Sequence, residues 1–170
     1  GGWIYVSNSE IANGGGGASA LRFDSAGQLT AAYPILRGTS RNCAGGPTPW
    51  DTWLSCEEVP DGSVWECDPF GGAMSTRLPA LGNFNHEAAA VDPGSGIIYL
   101  TEDKPDGCFY RFVPSGMTNS GLPDLTTGSL QVAEVIGGLE GAVLWSDVPD
   151  PDGVMVPTRL QVAAITNFNR

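Results

Sequence analysis

The segment Thr52-Trp53-Leu54-Ser55-Cys56-Glu57-Glu58 has the apolar pattern of a short strand and ends in two carboxylates. Similar segments occur at residues 3–10 (WIYVSNSE) and 97–103 (IIYLTED). The three align on an aromatic residue, at Tyr5, Trp53 and Tyr99. The aligned positions are 48 and 46 residues apart, and a period of roughly 40 to 50 residues is typical of β-propeller blades. The repeat therefore predicts an all-β chain made of successive similar sheets.

Each copy of the repeat continues, after a turn that contains glycine, into a second strand-like segment. These second segments are residues 20–24, 64–68 and 109–113. Other short apolar runs bounded by Gly or Pro predict further strands, at residues 28–33, 87–91 and 130–136. A propeller has about 4 to 8 blades of four strands, so this chain supplies about three. We expect residues 1–170 to form one partial propeller domain.

The composition supports a turn-rich, acidic protein. Gly and Pro make up 37 of the 170 residues, above the usual level of roughly 12%, which favours short strands over long helices. The net charge of −11 argues against nucleic acid and anionic membranes as partners and is compatible with cation binding. No apolar stretch approaches the roughly 18 residues of a membrane-spanning helix, and the first residues do not resemble a signal peptide.

Oxygen ligands recur at the predicted strand ends, and this recurrence predicts a metal site. In a propeller, equivalent strand ends converge on the central channel, so these side chains could meet although they are distant in sequence. Ca²⁺ prefers about 6 to 8 oxygen ligands, and clustered carboxylates need a cation to offset their repulsion. The alternative is a set of separate, solvated strand ends. The candidates are Asn8, Glu10, Glu57, Glu58, Glu87, Glu102 and Asp103.

Cys43 and His86 differ from the carboxylates in their expected roles. Cys43 lies in a polar turn, RNCAGG, and a thiolate among carboxylates suits a transition metal such as iron better than calcium. Cys56 alternates within a strand and is predicted to be a packed core thiol. The four cysteines have no C-x-x-C spacing, so a zinc ribbon is disfavoured, whereas disulfides remain open. His86 is the sole histidine, and we expect it to orient a neighbour by a hydrogen bond rather than to bind metal.

Several long motifs of the chain resemble those of the PhoX-type alkaline phosphatases. With the first strand and the closing segment they cover nearly the whole chain. The motifs are residues 38–46 (GTSRNCAGG), 48–58 (TPWDTWLSCEE), 86–88 (HEA) and 99–103 (YLTED). The resemblance implies a six-bladed propeller that binds iron and calcium in its channel and hydrolyses phosphate monoesters. It also implies a periplasmic or secreted location and small phosphate esters as the molecules bound.

The resemblance also implies roles for individual residues. Cys43 would supply the iron-binding thiolate, and Glu87 would be a second iron ligand. The remaining predicted residues are Glu57 and Glu58 at calcium or between calcium and iron, Glu10 and Asn8 near the calcium shell, and Arg170 as a phosphate-binding arginine.

One position departs from the family pattern, because Asp51 stands where the family usually has Gly. If the backbone needs a positive φ there, the aspartate costs about 1 kcal/mol, and its carboxylate could also lie near the site. About three of six blades are represented, so the resemblance leaves open whether this chain is active. Two other functions remain as alternatives: a noncatalytic binding module stabilised by calcium, and a calcium-dependent esterase or lactonase. The oligomeric state is also left open.

Overall fold

The fold is known from a computed structural model that describes residues 1–137 and 140–166. Three antiparallel sheets account for almost all of the regular structure in these ranges. The prediction of an all-β chain is therefore confirmed. No helix in the described ranges has the length and apolar character needed to cross a bilayer.

Sheet 1 has three strands in the order β1-β2-β3. They are β1 (Trp3–Ser9), β2 (Gly16–Phe23) and β3 (Leu29–Thr39). Sheet 2 has four strands in the order β4-β5-β6-β7. They are β4 (Asn42–Pro47), β5 (Trp53–Glu57), β6 (Val64–Cys67) and β7 (Thr76–Leu78).

Sheet 3 has five strands in the order β12-β11-β10-β9-β8. They are β8 (His86–Val91), β9 (Ile98–Glu102), β10 (Phe109–Pro114), β11 (Gly128–Ile136) and β12 (Ala142–Asp147). A 3₁₀ turn, Pro79–Leu81, joins sheets 2 and 3, and the helix α1 (Thr158–Thr166) follows sheet 3.

The predicted repeat segments are strands β1, β5 and β9, and the predicted second segments lie in β2, β6 and β10. The alignment of Trp53 with Tyr99 is wrong by one residue. Trp53 lies opposite Pro47 at the end of β4, whereas Ile98 takes the corresponding place opposite Val91 at the end of β8. Because neighbouring residues of a strand point to opposite faces, a shift of one residue exchanges the faces. Periodicity thus located the strands without fixing their register.

Strands β4 and β8 lie side by side where sheets 2 and 3 meet. Their sequences, NCAGGP and HEAAAV, are rich in small residues. A Cβ atom on Gly46 would collide with the carbonyl oxygen of Ala89, so the two backbones are in direct contact. Only small side chains permit this approach, which brings the first residues of both strands close together.

Sheets 2 and 3 share the main apolar core, which includes Leu54, Cys56, Phe84, Leu100 and Tyr110. The expectation that Cys56 is a packed core thiol agrees with its complete burial. Sheets 1 and 2 share a smaller core. Its buried members are Ala18, Leu36 and Cys67. All four cysteines lie in the described part of the chain, and all are free thiols.

Helix α1 is attached to sheet 3 by an ion pair. The guanidinium of Arg159 donates to Oε2 of Glu102 at 2.8 Å and to Oδ2 of Asp106 at 2.6 Å. The Glu102 side chain is fully buried, whereas that of Arg159 is 32% exposed. Glu102 also accepts hydrogen bonds from the Cys108 backbone at 3.0 Å and the Tyr110 hydroxyl at 3.2 Å. The buried charge therefore has both a countercharge and hydrogen-bond donors.

We predict that Arg159→Ala lowers the free energy of unfolding by about 2 to 3 kcal/mol, because it leaves the buried Glu102 carboxylate without its countercharge. Urea unfolding at neutral pH measures the loss. Arg111→Ala is the matched control, since Arg111 lies over the Trp145 ring at the sheet surface and its removal should cost under about 1 kcal/mol. Equal losses for the two variants would contradict the prediction.

Asp51, which departs from the family pattern, lies in the turn between β4 and β5. The backbone N–H of Asp51 donates to the Thr48 carbonyl at 3.3 Å, and Asp51 has a φ of 65°. The turn therefore does require the positive φ that favours glycine. It lies at the Pro47 end of β4 and Cys43 near the other end, so the Asp51 carboxylate is not beside the thiol.

We predict that Asp51→Gly raises the free energy of unfolding by about 0.5 to 1 kcal/mol. Relief of the left-handed strain is worth about 1 to 2 kcal/mol, and the added freedom of the unfolded chain cancels part of it. Asp61→Gly is the control, because Asp61 lies in an exposed turn without a positive φ and its replacement should destabilise. A lower melting temperature for Asp51→Gly in thermal unfolding would contradict the prediction.

Candidate metal site

One thiol and four carboxylates converge where the three sheets meet. Within each of two groups that share Glu58, one ligand atom from every residue lies within 4.8 Å of the others. The groups are Glu10, Cys43 and Glu58, and Glu58, Glu87 and Asp103. We call these five residues the donor group. Glu10 follows β1, Cys43 and Glu58 belong to sheet 2 or its edge, and Glu87 and Asp103 belong to sheet 3 or its edge.

Cys43 and Glu87 meet because they occupy the same place in two similar strands. The pairing of β4 with β5 is interrupted between Asn42 and Gly45, and that of β8 with β9 between His86 and Ala89. Cys43 and Glu87 are the first residues within these irregular segments. The thiol Sγ donates to Oε1 of Glu87 at 3.6 Å. A β-bulge redirects side chains, and here two bulges turn a thiol and a carboxylate toward one another.

Two consecutive acidic residues stand at the end of β5 and again at the end of β9. In each pair the first residue accepts hydrogen bonds within its sheet, and the second enters the donor group. Glu57 accepts hydrogen bonds from the backbone of Ser40 at 2.9 Å, the backbone of Ser63 at 3.3 Å and the indole of Trp65 at 2.9 Å. Glu102 has the corresponding place in β9 and is bound by donors of sheet 3 and by helix α1. The next residues, Glu58 and Asp103, enter the donor group. Adjacent residues of an extended chain point to opposite sides.

The structure thus brings together Cys43, Glu58, Glu87 and Glu10 from the predicted set. It also brings in Asp103, which the recurrence of acids at strand ends predicted as a ligand although the family resemblance assigned it no role. Glu57 lies outside the donor group, and metal binding by Glu57 stays a prediction. Arg170 lies outside the described residues, so its predicted role is not addressed by the structure.

Asn8 lies beside Cys43 and uses its amide to hold the backbone. Its Nδ2 donates to the carbonyl of Ala44 at 2.7 Å and, at 3.4 Å, to that of Cys43. Its Oδ1 accepts hydrogen bonds from the Trp53 indole at 3.1 Å and the Ser55 hydroxyl at 3.0 Å. Both ends of the amide therefore have protein partners. Metal binding by Asn8 stays a prediction that these contacts do not favour.

The donor group concentrates negative charge. Burial raises the pKa of Cys43 to about 12, and the carboxylates of Glu87, Glu10 and Glu58 contribute to the rise. Burial, followed by the charge of Asp103, also raises the pKa of Glu58. A cation would reverse both effects, because it stabilises a thiolate and ionised carboxylates at short range. A sulfur ligand with several oxygen ligands suits a transition metal next to a hard cation such as Ca²⁺.

A separate groove of about 860 Å³ lies near the start of β1. It is lined by apolar side chains that include Trp3, Tyr5, Trp53 and Phe70. No member of the donor group lines it. The groove therefore does not enlarge the candidate metal site.

His86 is fully buried, and its ring is not part of the donor group. Its Nε2–H donates to the Gly82 carbonyl at 3.0 Å, and the ring packs on Phe84 with centroids 3.7 Å apart. Nδ1 has no hydrogen-bond partner among the described residues. The expected hydrogen bond from His86 to a site residue is not found in this part of the chain; the ring supports the Gly82 turn instead. Burial lowers the pKa of His86 to about 4.

Comparison with known families gives one match. A family model described as alkaline phosphatase PhoX matches residues 7–69 and 61–170. The matched residues include the whole donor group, and the match confirms the resemblance that the sequence motifs indicated. No curated protein and no solved structure gives a match.

We predict that the protein loses stability in mild acid because the imidazole of His86 is buried. Because the pKa of His86 is lower in the folded chain than in the unfolded chain, its contribution is complete above pH 6.5 and is lost as the pH falls toward 4. The free energy of unfolding should fall by about 3 kcal/mol over this interval from His86 alone. Urea unfolding at a series of pH values, compared between the wild type and His86→Gln, isolates this part. Parallel pH curves for the two proteins would contradict the prediction.

Proposed function

The chain belongs to the alkaline phosphatase PhoX family, and on that premise we propose that it hydrolyses phosphate monoesters at an iron and calcium site built on the donor group. The observation that carries the proposal is the convergence of one thiol and four carboxylates from three sheets. Carboxylates this close repel one another, and bound cations would offset that repulsion. Phosphate esters are anions, and cations in such a site would attract them.

We further propose that the three sheets are successive blades of a propeller, which would have six blades when complete. The side-by-side packing of β4 and β8 supports this arrangement, because innermost strands of neighbouring blades meet at the central channel. The repeated order of strands in sheets 2 and 3 also supports it. In such a propeller the donor group lies at the channel, and residues 1–170 form a partial domain.

The ligand assignment follows from ligand chemistry and position. Cys43 and Glu87 would hold iron, because the thiolate is the soft ligand and Glu87 is the carboxylate in contact with it. Glu10, Glu58 and Asp103 would supply oxygen ligands for calcium. Glu58 belongs to both groups and would be available as an oxygen ligand to either cation. When bound, the cations would supply positive charge to the phosphoryl oxygens and lower the barrier to hydrolysis.

The chain's own groups would position the substrate. Carboxylates around the cations would repel surplus anions and admit a single phosphoryl group where the cations are exposed. Arg170 would offset the remaining phosphoryl charge. The net charge of −11 disfavours binding to nucleic acid and anionic membranes, and small phosphate esters would be attracted by the cations of the site. We propose a periplasmic or secreted location, as the family resemblance implies.

The proposal is tested by metal analysis together with turnover of p-nitrophenyl phosphate. The wild-type chain should contain iron and calcium near one equivalent or more, and chelation should abolish hydrolysis. Cys43→Ala should lose iron and lower hydrolysis by about 100-fold or more, since even the loss of groups that only support a metal ligand costs 10- to 100-fold. Cys108→Ala is the control, because Cys108 is a buried thiol outside the donor group.

Three outcomes would contradict the proposal. Full hydrolysis by Cys43→Ala would exclude the thiol as an essential ligand. Hydrolysis of carboxylic esters with calcium alone would favour the esterase or lactonase alternative. A calcium-dependent rise in melting temperature without any turnover would favour the binding module.

A further inference from the structure

We propose that a hydrogen-bonded chain of four polar side chains, the buried Thr39, Asn42 and Ser55 and the half-buried Asn8, fixes the bulge that carries Cys43, and that Asn8 is a positioning residue rather than a metal ligand. The inference rests on the proposed function, because it explains how the thiol is aimed at the donor group. We call the four side chains the Asn8 network.

The hydrogen bonds of the Asn8 network all run in one direction. The Thr39 hydroxyl donates to Oδ1 of Asn42 at 2.5 Å, and Nδ2 of Asn42 donates to the Ser55 hydroxyl at 3.0 Å. The Ser55 hydroxyl donates to Oδ1 of Asn8 at 3.0 Å, and Nδ2 of Asn8 donates to the Ala44 carbonyl at 2.7 Å. Hydrogen bonds in such a chain polarise and strengthen one another in a buried setting. Asn42 and Ser55 have no exposed surface, and Thr39 is 4% exposed.

The network meets the backbone where the sheet ladder is interrupted. Asn42 pairs with Glu57 and Gly45 pairs with Ser55, so the residues between them, Cys43 and Ala44, have no place in the ladder. The carbonyl groups of Cys43 and Ala44 accept hydrogen bonds from Asn8 instead. Buried carbonyls need such partners. The bulge is therefore held on both sides of Cys43. Asn8 bonds the carbonyls of Cys43 and Ala44, and the residue before Cys43, Asn42, is fixed through its side chain.

Asn8 has no lone pair left for a cation in this arrangement. A side-chain amide oxygen accepts about two hydrogen bonds, and that of Asn8 receives two, from Trp53 and Ser55. Its NH₂ group has two protein acceptors. The matching bulge in β8 is also held by a side chain, because the Ala88 backbone N–H donates to the Thr101 hydroxyl at 3.1 Å. Both bulges of the donor group thus depend on a polar partner from a neighbouring strand.

The network also couples two sheets. Thr39 and Asn8 belong to sheet 1, whereas Asn42 and Ser55 belong to sheet 2. Glu10 lies two residues after Asn8, so the contact that fixes Cys43 also fixes the approach of Glu10. Loss of Asn8 should therefore displace Cys43 and Glu10 together.

Asn8→Asp distinguishes a positioning residue from a ligand. If Asn8 binds a cation, aspartate keeps the oxygen and adds charge, so binding should be retained or strengthened. If Asn8 holds the bulge, aspartate removes the N–H donors and places a charge against two carbonyls, so binding should weaken. We expect about 10- to 100-fold weaker Co²⁺ binding in both Asn8→Asp and Asn8→Ala, with a reduced thiolate-to-cobalt absorption band. Asn119→Ala, in an exposed loop, is the control and should bind as the wild type does.

A metal-free measurement keeps this inference separate from the proposed function. Amide hydrogen exchange of residues 42–46 should be about tenfold faster in Asn8→Ala than in the wild type, while exchange in sheet 3 is unchanged. Ser55→Ala should change the same residues in the same direction, and it decides the matter if Asn8→Ala does not fold. Unchanged exchange in residues 42–46, or Co²⁺ binding by Asn8→Asp as tight as in the wild type, would overturn the inference. If the wild type binds no Co²⁺, the proposed ligand set fails, whereas the exchange comparison still tests the Asn8 network.

Discussion

The close contact between β4 and β8 is the constraint on which the rest of the structure depends. Gly46 has no room for a side chain against the Ala89 backbone, so two strands of different sheets run together without side chains between them. Because both strands begin with a bulge, the contact places Cys43 and Glu87 side by side. A larger residue at Gly46 would separate the sheets and the two ligand atoms together. The geometry of the donor group is therefore a consequence of backbone packing.

The distribution of acidic residues follows from the same geometry. A run of two acids at a strand end sends one carboxylate to each side. On one side, Glu57 and Glu102 accept hydrogen bonds that close the β5–β6 and β9–β10 hairpins. On the other side, Glu58 and Asp103 meet in the donor group. The acids of the hairpins have hydrogen-bond donors from the protein, whereas the acids of the donor group repel one another and a bound cation would offset that repulsion.

Much of this fold could be predicted because strand formation is local. The repeat located β1, β5 and β9. The prediction that Cys43 lies in a turn is wrong, because it lies in the bulged strand β4, but its polar neighbours did mark the thiol as unlike a core cysteine. Register could not be predicted, since the aromatic residues used to align the repeats, Trp53 and Tyr99, point to opposite faces of their sheets. Asp103 was a candidate ligand, but its match to Glu58 could not be predicted, because the shifted alignment pairs Asp103 with Glu57 instead. The contacts of Asn8 could not be predicted either, because an asparagine at a strand end can equally well bind a cation through its amide oxygen or donate a hydrogen bond to a carbonyl.

The two halves of the donor group are held by different forces. Glu58, Glu87 and Asp103 are placed by sheets 2 and 3, which share an extensive apolar core. Glu10 depends on the joint between sheets 1 and 2, where the buried apolar residues are Ala18, Leu36 and Cys67. Hydrophobic burial is nondirectional, whereas hydrogen bonds fix distance and angle. The partly buried side chains of Val6, Ile35, Trp53 and Trp65 also pack against this small core, and the directional contacts of Asn8 add to them in fixing the angle between sheets 1 and 2. The precision of the Glu10 and Cys43 half is thus set by polar side chains that themselves need not touch a metal.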